Sequence, residues 1–249
     1  MNDEQLLRYS KHLLMPTVDF NGQSKLLNAK VMIVGLGGLG SPVALYLAAA
    51  GVGELILVDD DEVELSNLQR QVIHGTSSLG AFKVDSAYER IKDLNPDCKV
   101  VTIKQRFDDN DQAYHQKIDA IVDCTDSLDT RLCINNYCVK NNIPLISGAA
   151  IRMEGQVVVF LNNGQRQGAC YQCLYSDINE VSQNCSEVGV LSTTVGIIGT
   201  IQAQQSLKLI MGIGTIEDGS MQLMDGMTGD WRKVQITKRP DCPCCSTMS

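Results

Sequence analysis

The sequence predicts an α/β protein whose Rossmann-like, mostly parallel sheet is extended by antiparallel strands. Short apolar strands alternate with helical segments between residues 30 and 150, an order that requires right-handed crossovers and a parallel sheet. A glycine-rich turn joins the first strand to the first of these helices. Beyond residue 151, strand-like runs bounded by turn residues indicate antiparallel pairing.

The predicted elements follow one another in a simple order. Residues 1–28 are expected to be helical, and the strand "KVMIVG" leads through the glycine turn into the helix "SPVALYLAAA". The strands "ELILVD", "KVVTIKQ", "IDAIVDCTD" and "IPLISGAA" then alternate with the helices "KVDSAYERIKDL" and "DTRLCINNYCVKNN". Val31–Gly53 is uncharged and long enough to span a membrane, but its six glycines and Pro42 divide it into strand, turn and helix.

The second half is predicted to carry the antiparallel strands. These are "GQVVVFLN" and two strands within "SMQLMDGMTGDWRKVQITK", with hairpin turns expected at "NNG" and "GMTGD". The apolar helix "TTVGIIGTIQAQQSLKLIMG" precedes the last two strands. A polar loop, Tyr175–Val188, is too long to be an idle connection, and such loops are often functional.

Composition excludes several classes of function. The chain has 21 Lys and Arg against 29 Asp and Glu, a net charge of −8, whereas nucleic-acid binders carry a basic surplus. The start, "MNDEQLLRYSKHLL", lacks the apolar core of a signal peptide, so we expect a cytoplasmic protein with no membrane partner. In that compartment the ten cysteines favour metal binding and core packing over disulfides. The four predicted to pack in the core are Cys98, Cys124, Cys133 and Cys138.

The glycine-rich turn predicts a nucleotide site. Its glycines fit the GxGxxG spacing after a strand and before a helix, which lets the backbone approach a phosphate and supplies free amides at the helix N-terminus. Asp59 ends the second strand, where a carboxylate can bind ribose hydroxyls. A nicotinamide dehydrogenase fits these two features equally well. The predicted nucleotide-binding glycines are Gly35, Gly37, Gly38 and Gly40.

The residues that follow Asp59 favour chemistry on phosphate. "VDDDEVELSNLQRQ" adds further polar side chains, and a lysine at the start of the next helix supplies a second cation. A carboxylate also ends the strand "IDAIVDCTD", on the edge of the sheet where ligands gather. Two cations and a carboxylate can neutralise a triphosphate and hold Mg²⁺. The residues concerned are Asp61, Asn67, Arg70, Gln71, Lys83 and Asp126.

Two CxxC pairs predict a structural zinc site. Cys170 with Cys173 and Cys242 with Cys245 each supply two thiolates, and four thiolates close a tetrahedral site. Cys244 leaves open which sulfurs of the second group bind the metal.

Taken together, "GLGGLG", "VDDDEVELSNLQRQ", "FK", "DCTD", "GAAIRMEGQ", "CYQC" and "CPCC" closely resemble the MoeB/ThiF/HesA family, the bacterial relatives of ubiquitin-activating enzymes. The resemblance covers nearly the whole chain, and "SGAAIRMEGQ" is more similar to the molybdopterin-synthase adenylyltransferase (MoeB) branch than to the thiamine (ThiF) branch. It implies a single adenylyltransferase domain over residues 1–249, with an N-terminal helical segment (1–28), a nucleotide-binding half (30–150) and a carrier-docking half with the zinc site (151–249).

The activity that the resemblance implies is ATP-dependent adenylation of the C-terminal Gly-Gly carboxylate of a ubiquitin-like sulfur carrier, with release of pyrophosphate. The carrier would be the small subunit of molybdopterin synthase. Asp59 would hold the ribose, Asp126 would hold Mg²⁺, and the phosphates would be bound by Asn67, Arg70 and Lys83. No general base is needed because the attacking carboxylate is already ionised. The resemblance also implies a homodimer and, since these residues contain no rhodanese-like segment, a separate sulfur-donating protein.

The resemblance also implies roles for Lys11 and Cys185. The family usually has an arginine that reaches into the partner subunit's active site, where "RYSKH" has Lys11 in this chain; lysine keeps the charge but lacks the planar bidentate fork. The alternatives are that Arg8 takes over this role or that the assistance across subunits is weaker. Cys185, in the polar loop, matches a family cysteine that could capture the activated carbonyl, although an exposed single cysteine is often idle.

Other functions remain open at this level. The chain could adenylate the thiamine-pathway carrier, or a small-molecule or RNA-linked carboxylate. An NAD-binding oxidoreductase is an alternative from another class of enzyme. The sequence shows no evident residue that would transfer a proton beside a hydride site, which argues against it. A non-catalytic binding module is a third alternative, against which the retained Arg70, Lys83 and Asp126 argue.

Overall fold

Eight strands form one sheet in the part of the chain that the computed structural model describes, which comprises residues 1–109, 117–163, 168–174 and 188–246. The strands are β1 Lys30–Val34, β2 Glu54–Val58, β3 Lys99–Ile103, β4 Ala120–Asp123, β5 Leu145–Ile151, β6 Glu154–Phe160, β7 Ser220–Asp225 and β8 Asp230–Gln235. Their order across the sheet is β3-β2-β1-β4-β5-β6-β7-β8.

The sheet is parallel from β3 to β5 and antiparallel from β5 to β8. This confirms the predicted parallel sheet with an antiparallel extension. The order of the strands reverses between β1 and β4, and in open α/β sheets ligands bind at the carboxyl ends of the strands at such a point.

The helices lie where the sequence predicts them, with short breaks in the N-terminal segment. They are α1 Asp3–Arg8, α2 Ser10–Leu13, α3 Asp19–Asn28, α4 Gly40–Ala50, α5 Lys83–Leu94, α6 Leu128–Asn141 and α7 Ser192–Met211. Short 3-10 turns lie at Leu65–Asn67, Thr76–Ser78 and Tyr171–Leu174. No described helix combines the length and the apolar composition that a bilayer crossing needs.

Both faces of the central strands are buried, which explains their continuous apolar sequences. Alternate residues of β1 point to opposite faces, so that Val31 and Ile33 belong to one hydrophobic cluster and Met32 and Val34 to the other. The first cluster includes side chains of α4, α5 and α7, and the second includes those of α6. Of the cysteines predicted to pack in the core, three are buried and Cys133 is half-buried against the second cluster.

The hairpin turns were predicted only in part. "GMTGD" joins β7 to β8 as expected. "NNG" does not join β6 to its antiparallel neighbours, because β5 precedes β6 directly and β7 comes after α7. The turn between β5 and β6 is formed by Arg152 and Met153, and Arg152 adopts a left-handed φ of 52°. Sequence reasoning missed this turn because left-handed turn positions usually carry glycine or asparagine.

Candidate active site

A cavity of about 450 Å³ opens at the carboxyl ends of the parallel strands, where the strand order reverses. Most of the residues that the sequence predicts for nucleotide binding lie on its wall. They are Gly35, Gly37, Gly38, Asp59, Asp61, Arg70, Gln71, Lys83 and Asp126. Two others, Gly40 and Asn67, are close by in the sequence but are not part of the wall.

The glycine turn gives this cavity its backbone wall. Gly35 has a φ of 88°, and a Cβ there would lie 2.9 Å from the carbonyl oxygen of Cys124. Gly40 begins α4, and a Cβ there would overlap the carbonyl oxygen of Gly35. Gly35 and Gly40 therefore permit close packing of the turn, whereas a Cβ at Gly37 would meet only the side chain of Gln71, at 3.5 Å.

Asp59 is a buried carboxylate at the end of β2. Its Oδ2 accepts a hydrogen bond from the backbone N–H of Leu36 at 2.6 Å, and its Oδ1 accepts one from the N–H of Asp61 at 2.9 Å. Burial raises the pKa of Asp59, and the charge of Lys83 and the two backbone N–H groups oppose that rise. Each oxygen has a second lone pair, so the carboxylate can still accept from ribose hydroxyls.

Lys83, the first residue of α5, brings a buried cation to the wall. Its side chain is 7% exposed, and its Nζ lies 2.6 Å from Oδ2 of Asp61, whose side chain is 67% exposed. The ammonium group is therefore desolvated but remains paired with a carboxylate that faces solvent. A phosphate could take the place of that carboxylate or share the lysine with it.

Arg70 lies on the same wall and is held by its own segment. Its Nη1 donates to the carbonyl oxygen of Ser66 at 3.2 Å, and its Nη2 lies 3.5 Å from Oδ1 of Asn67. Asn67 thus supports the arginine from outside the cavity. Gln71 is buried on the wall, and its Oε1 has no hydrogen-bond partner in the part of the chain that the structure describes.

Asp126 is exposed in the turn that follows β4. The turn is fixed by Asp123, the buried last residue of β4, which accepts hydrogen bonds from the N–H and the hydroxyl of Thr125 at 3.0 and 2.7 Å. Asp123 also accepts from the hydroxyl of Ser147 at 2.7 Å. Sequence reasoning did not single out Asp123, although it stands at the end of a predicted strand as Asp59 does.

Two arginines of the cavity wall were also missed. Arg106 follows β3, and its guanidinium donates to Oγ1 of Thr130 and to Oγ of Ser127. Arg131, on α6, is buried and contacts the backbone of the turn after β4. Arg106 could have been found from its position just after a strand. Arg131 could not, because a single arginine within a helix is usually a surface residue.

The four predicted zinc ligands form a buried cluster that packs with side chains of α6. Three distances between their sulfur atoms are 4.0, 3.7 and 3.5 Å, for Cys170–Cys173, Cys170–Cys242 and Cys173–Cys245. A zinc ion bound by four thiolates at about 2.3 Å would set the sulfurs about 3.8 Å apart, so the cluster fits the metal. Cys244 is outside the cluster and accepts a hydrogen bond from Nδ2 of Asn135 at 3.2 Å.

The remaining predicted residues are remote from the cavity or outside the described chain. Lys11 is exposed on α2 and does not line the cavity. Arg8 donates from Nη1 to the carbonyl oxygen of Leu94 at 2.9 Å. Cys185 lies outside the described residues, as does most of the loop that contains it.

Comparison with known proteins gives consistent results. The sequence profile of the ThiF family matches residues 9–244. The sulfur carrier protein ThiS adenylyltransferase of Escherichia coli (strain K12) is 42% identical over 248 residues, which cover 98% of this chain and 97% of that protein. The molybdopterin-synthase adenylyltransferase of the same strain is 39% identical over 246 residues, which cover 98% of both.

A solved structure supports the fold independently. A crystal structure of E. coli MccB has a TM-score of 0.84 and 22% identity, and the alignment covers 99% of this chain and 76% of that chain. At this identity the likeness concerns the fold alone.

Proposed function

The chain belongs to the ThiF family, and we propose from this that it is an adenylyltransferase that uses ATP to activate the C-terminal Gly-Gly carboxylate of a ubiquitin-like sulfur carrier. The observation that carries the proposal is the presence of Arg70, Lys83 and Asp126 on one cavity wall beside the glycine turn. A carboxylate and a triphosphate repel each other, and fixed cations reduce that repulsion.

The charges on the cavity wall favour a polyanion that arrives with a divalent cation. The wall holds four cationic side chains and four carboxylates, so it does not carry a large positive surplus. A magnesium–triphosphate complex can satisfy both signs at once, with phosphate oxygens on the cations and the metal on a carboxylate. The cations are Arg70, Lys83, Arg106 and Arg131, and the carboxylates are Asp59, Asp60, Asp61 and Asp126.

Each residue then has a distinct role. Asp59 accepts hydrogen bonds from the ribose, and Arg70 and Lys83 bind phosphate oxygens, with Asn67 holding the arginine in place. Mg²⁺, when bound, would be held by Asp126 and would neutralise phosphate charge. Gln71 offers its unpaired Oε1 to a donor on the nucleotide.

The reaction requires no proton transfer by the protein. A carboxylate oxygen of the carrier attacks the α-phosphorus, the bond to the bridging oxygen of the β-phosphate breaks, and pyrophosphate leaves with the electron pair. The carrier carboxylate is ionised at neutral pH. No described histidine lines the cavity, which agrees with a reaction that needs no general base.

The antiparallel end of the sheet is the proposed docking surface for the carrier. It exposes large apolar side chains, among them Met227, Trp231 and Val234. Since the chain has a net charge of −8, apolar contact is expected to contribute more to the affinity than general charge attraction. We also propose a homodimer, a separate sulfur-donating protein and a reducing, cytoplasmic setting in which the zinc thiolates persist.

The proposed carrier is the small subunit of molybdopterin synthase, and the thiamine-pathway carrier is the alternative. "SGAAIRMEGQ" favours the molybdopterin-synthase small subunit, whereas identities of 42% and 39% to the two E. coli adenylyltransferases do not separate the thiamine branch from the molybdopterin branch. The preference for molybdopterin synthase therefore stays a prediction.

An exchange assay tests the activity and the carrier together. Labelled pyrophosphate should enter ATP only when Mg²⁺ and a carrier ending in Gly-Gly are present. The two carrier types from one organism are compared, each with a control that lacks the final glycine. Exchange with the molybdopterin-type carrier alone supports the preferred branch, and exchange with the thiamine-type carrier alone reverses it. No exchange with either carrier, or exchange with the shortened controls, contradicts the proposed function.

A further inference from the structure

Helix α6 contacts both the cysteine cluster and the cavity. Arg131 and Asn135 are four residues apart on this helix and therefore lie on one face of it. Arg131 lines the cavity. Asn135 is fully buried, and its Nδ2 lies 3.7 Å from Sγ of Cys170, one of the four clustered thiols.

Tyr171 connects the cluster to both of these side chains. It stands within the first CxxC pair, between two of the thiols, and is 1% exposed. Its backbone N–H donates to Oδ1 of Asn135 at 2.9 Å. Its hydroxyl oxygen accepts a hydrogen bond from Nη1 of Arg131 at 3.2 Å. The position of this tyrosine is thus set by the thiols on either side of it and by α6.

Arg131 continues the connection to the cavity. Its Nε donates to the carbonyl oxygen of Thr125 at 3.1 Å, its Nη2 donates to the same oxygen, and Nη2 also donates to the carbonyl oxygen of Gly148 at 3.1 Å. Thr125 directly precedes Asp126, the proposed magnesium ligand. The planar guanidinium therefore fixes the backbone of the turn that carries this carboxylate.

We propose that Tyr171 and Arg131 are positioning residues through which zinc at the cysteine cluster raises the affinity of the cavity for Mg²⁺·ATP. The inference rests on the proposed function and deepens it. When four thiolates are bound by one ion, Tyr171 is held between two fixed ligands and keeps its hydroxyl in reach of Arg131. When the cluster opens, a buried guanidinium loses an acceptor, and the turn before Asp126 loses part of its support.

The coupling must be reciprocal, since it is a free energy shared by two sites. Mg²⁺·ATP should then raise the affinity for zinc by the same factor by which zinc raises the affinity for Mg²⁺·ATP, and such factors are about 5 to 150. Zinc at the cysteine cluster is thus expected to strengthen nucleotide binding as well as to attach the C-terminal segment to the sheet.

The test is a comparison of Tyr171→Phe with the wild-type protein. The substitution removes only the hydroxyl and keeps the ring, whose edge contact with Phe160 has centroids 6.3 Å apart. Calorimetry measures the Kd for Mg²⁺·ATP before and after removal of zinc with a chelator, and metal analysis measures zinc per chain. Tyr137→Phe is the matched control, a buried tyrosine of α6 whose ring packs on Phe107.

In the wild-type protein we expect zinc removal to weaken Mg²⁺·ATP binding by about tenfold. Tyr171→Phe should keep its zinc and still bind Mg²⁺·ATP several-fold more weakly, and zinc removal should then have little further effect. Tyr137→Phe should behave as the wild type. Should the metal-free protein unfold, the zinc-loaded Kd values of the three proteins decide the matter alone.

Two results would overturn the inference. One is a zinc-loaded Tyr171→Phe that binds Mg²⁺·ATP as tightly as the wild type, and the other is an equal effect of zinc removal on both folded proteins. If the wild type still catalyses pyrophosphate exchange in either case, only the coupling is wrong. If the wild type neither binds Mg²⁺·ATP nor catalyses exchange, the proposed function fails together with the coupling.

Discussion

Lys83 and Asp59 show how burial prepares individual side chains of the cavity. Each is removed from most of its water and is compensated by nearby groups, an exposed carboxylate for the lysine and two backbone N–H groups for the aspartate. Groups held in this way need little reorganisation when a charged ligand arrives, which is the condition for electrostatic catalysis. Removing such a group should therefore lower the rate of adenylation.

Lys83→Ala is expected to lower the rate of pyrophosphate exchange by about 100- to 1,000-fold, because one fixed cation of the phosphate site is lost. The control is Lys104→Ala, which removes a half-exposed lysine that pairs with Asp85 at 2.7 Å and does not line the cavity. That variant should stay within about twofold of the wild type, as surface ion pairs contribute little. Equal rates for Lys83→Ala and the wild type would contradict the role of Lys83.

His74 predicts a pH dependence of stability. It is buried, its Nδ1 lies 2.9 Å from Oγ of Ser86, and its Nε2 lies 3.0 Å from the carbonyl oxygen of Leu36. Burial lowers the pKa of His74, the carbonyl of Leu36 opposes this, and the charge of Lys83 adds to it. The fold therefore favours the neutral ring, and the stability that this contributes is complete above the ordinary pKa of 6.5 and is lost as the pH falls below it.

Urea denaturation at pH 7.5 and at pH 5.5 measures this effect. We expect the free energy of unfolding to decrease from pH 7.5 to pH 5.5 in both proteins. The decrease should be larger in the wild type than in His74→Gln, because glutamine does not titrate. A fall of the same size in both proteins would show that other groups cause the pH dependence.

The cysteine cluster shows how elements that are distant in sequence are joined. Cys170 directly precedes the 3-10 turn Tyr171–Leu174, and Cys173 lies within it. Cys242 and Cys245 belong to the segment that follows β8. This segment has no strand or helix in its described residues, 236–246, so its position depends on packing against the second hydrophobic cluster and, when zinc is bound, on the metal. Metal binding here should contribute directly to stability.

Cys242→Ser and Cys244→Ser test which thiols bind the metal. Cys242→Ser should lose zinc and lower the Tm by about 10 °C, because a bound metal contributes several kcal/mol to folding. Cys244→Ser should retain one zinc per chain and a Tm near that of the wild type, because its sulfur lies outside the cluster. Loss of zinc in Cys244→Ser would show that the second pair of ligands is assigned wrongly.

For the whole molecule, we propose that a homodimer completes the active site. The N-terminal helical segment exposes large apolar side chains, including Leu7, Leu14 and Phe20. Lys11 lies in the same segment, exposed and away from the cavity of its own chain. These features are consistent with a lysine that acts in the partner's site, as the family resemblance implies.

A mixing experiment separates action within one chain from action across the dimer. Lys11→Ala alone should slow adenylation at least tenfold, which corresponds to a loss of about 1.4 kcal/mol or more of transition-state stabilisation. When Lys11→Ala and Lys83→Ala subunits are mixed equally and allowed to exchange, half of the dimers are mixed and each has one intact site. Activity should then return to about a quarter of the wild-type value. Unchanged activity after exchange would contradict action across the dimer.

Much of this molecule is determined by the sequence alone. The strands and helices were predictable because apolar periodicity and glycine positions are local properties, and they need no knowledge of distant contacts. The cavity could also be located, because the carboxyl ends of parallel strands meet at one edge of the sheet. For this reason Asp59 and Asp126 could be placed together from the sequence. The cysteine spacing indicated the metal site in the same way.

Only the tertiary structure decided how these parts are connected. It added Arg106 and Arg131 to the cavity wall, excluded Cys244 from the cluster, and placed Tyr171 between the cluster and the arginine. It also put the hairpin turn at Arg152, where the surrounding strands impose a conformation that its side chain does not favour. The physical reason is the same in each case. These are contacts between residues far apart in sequence, and their energies depend on distances and burial that no local pattern specifies.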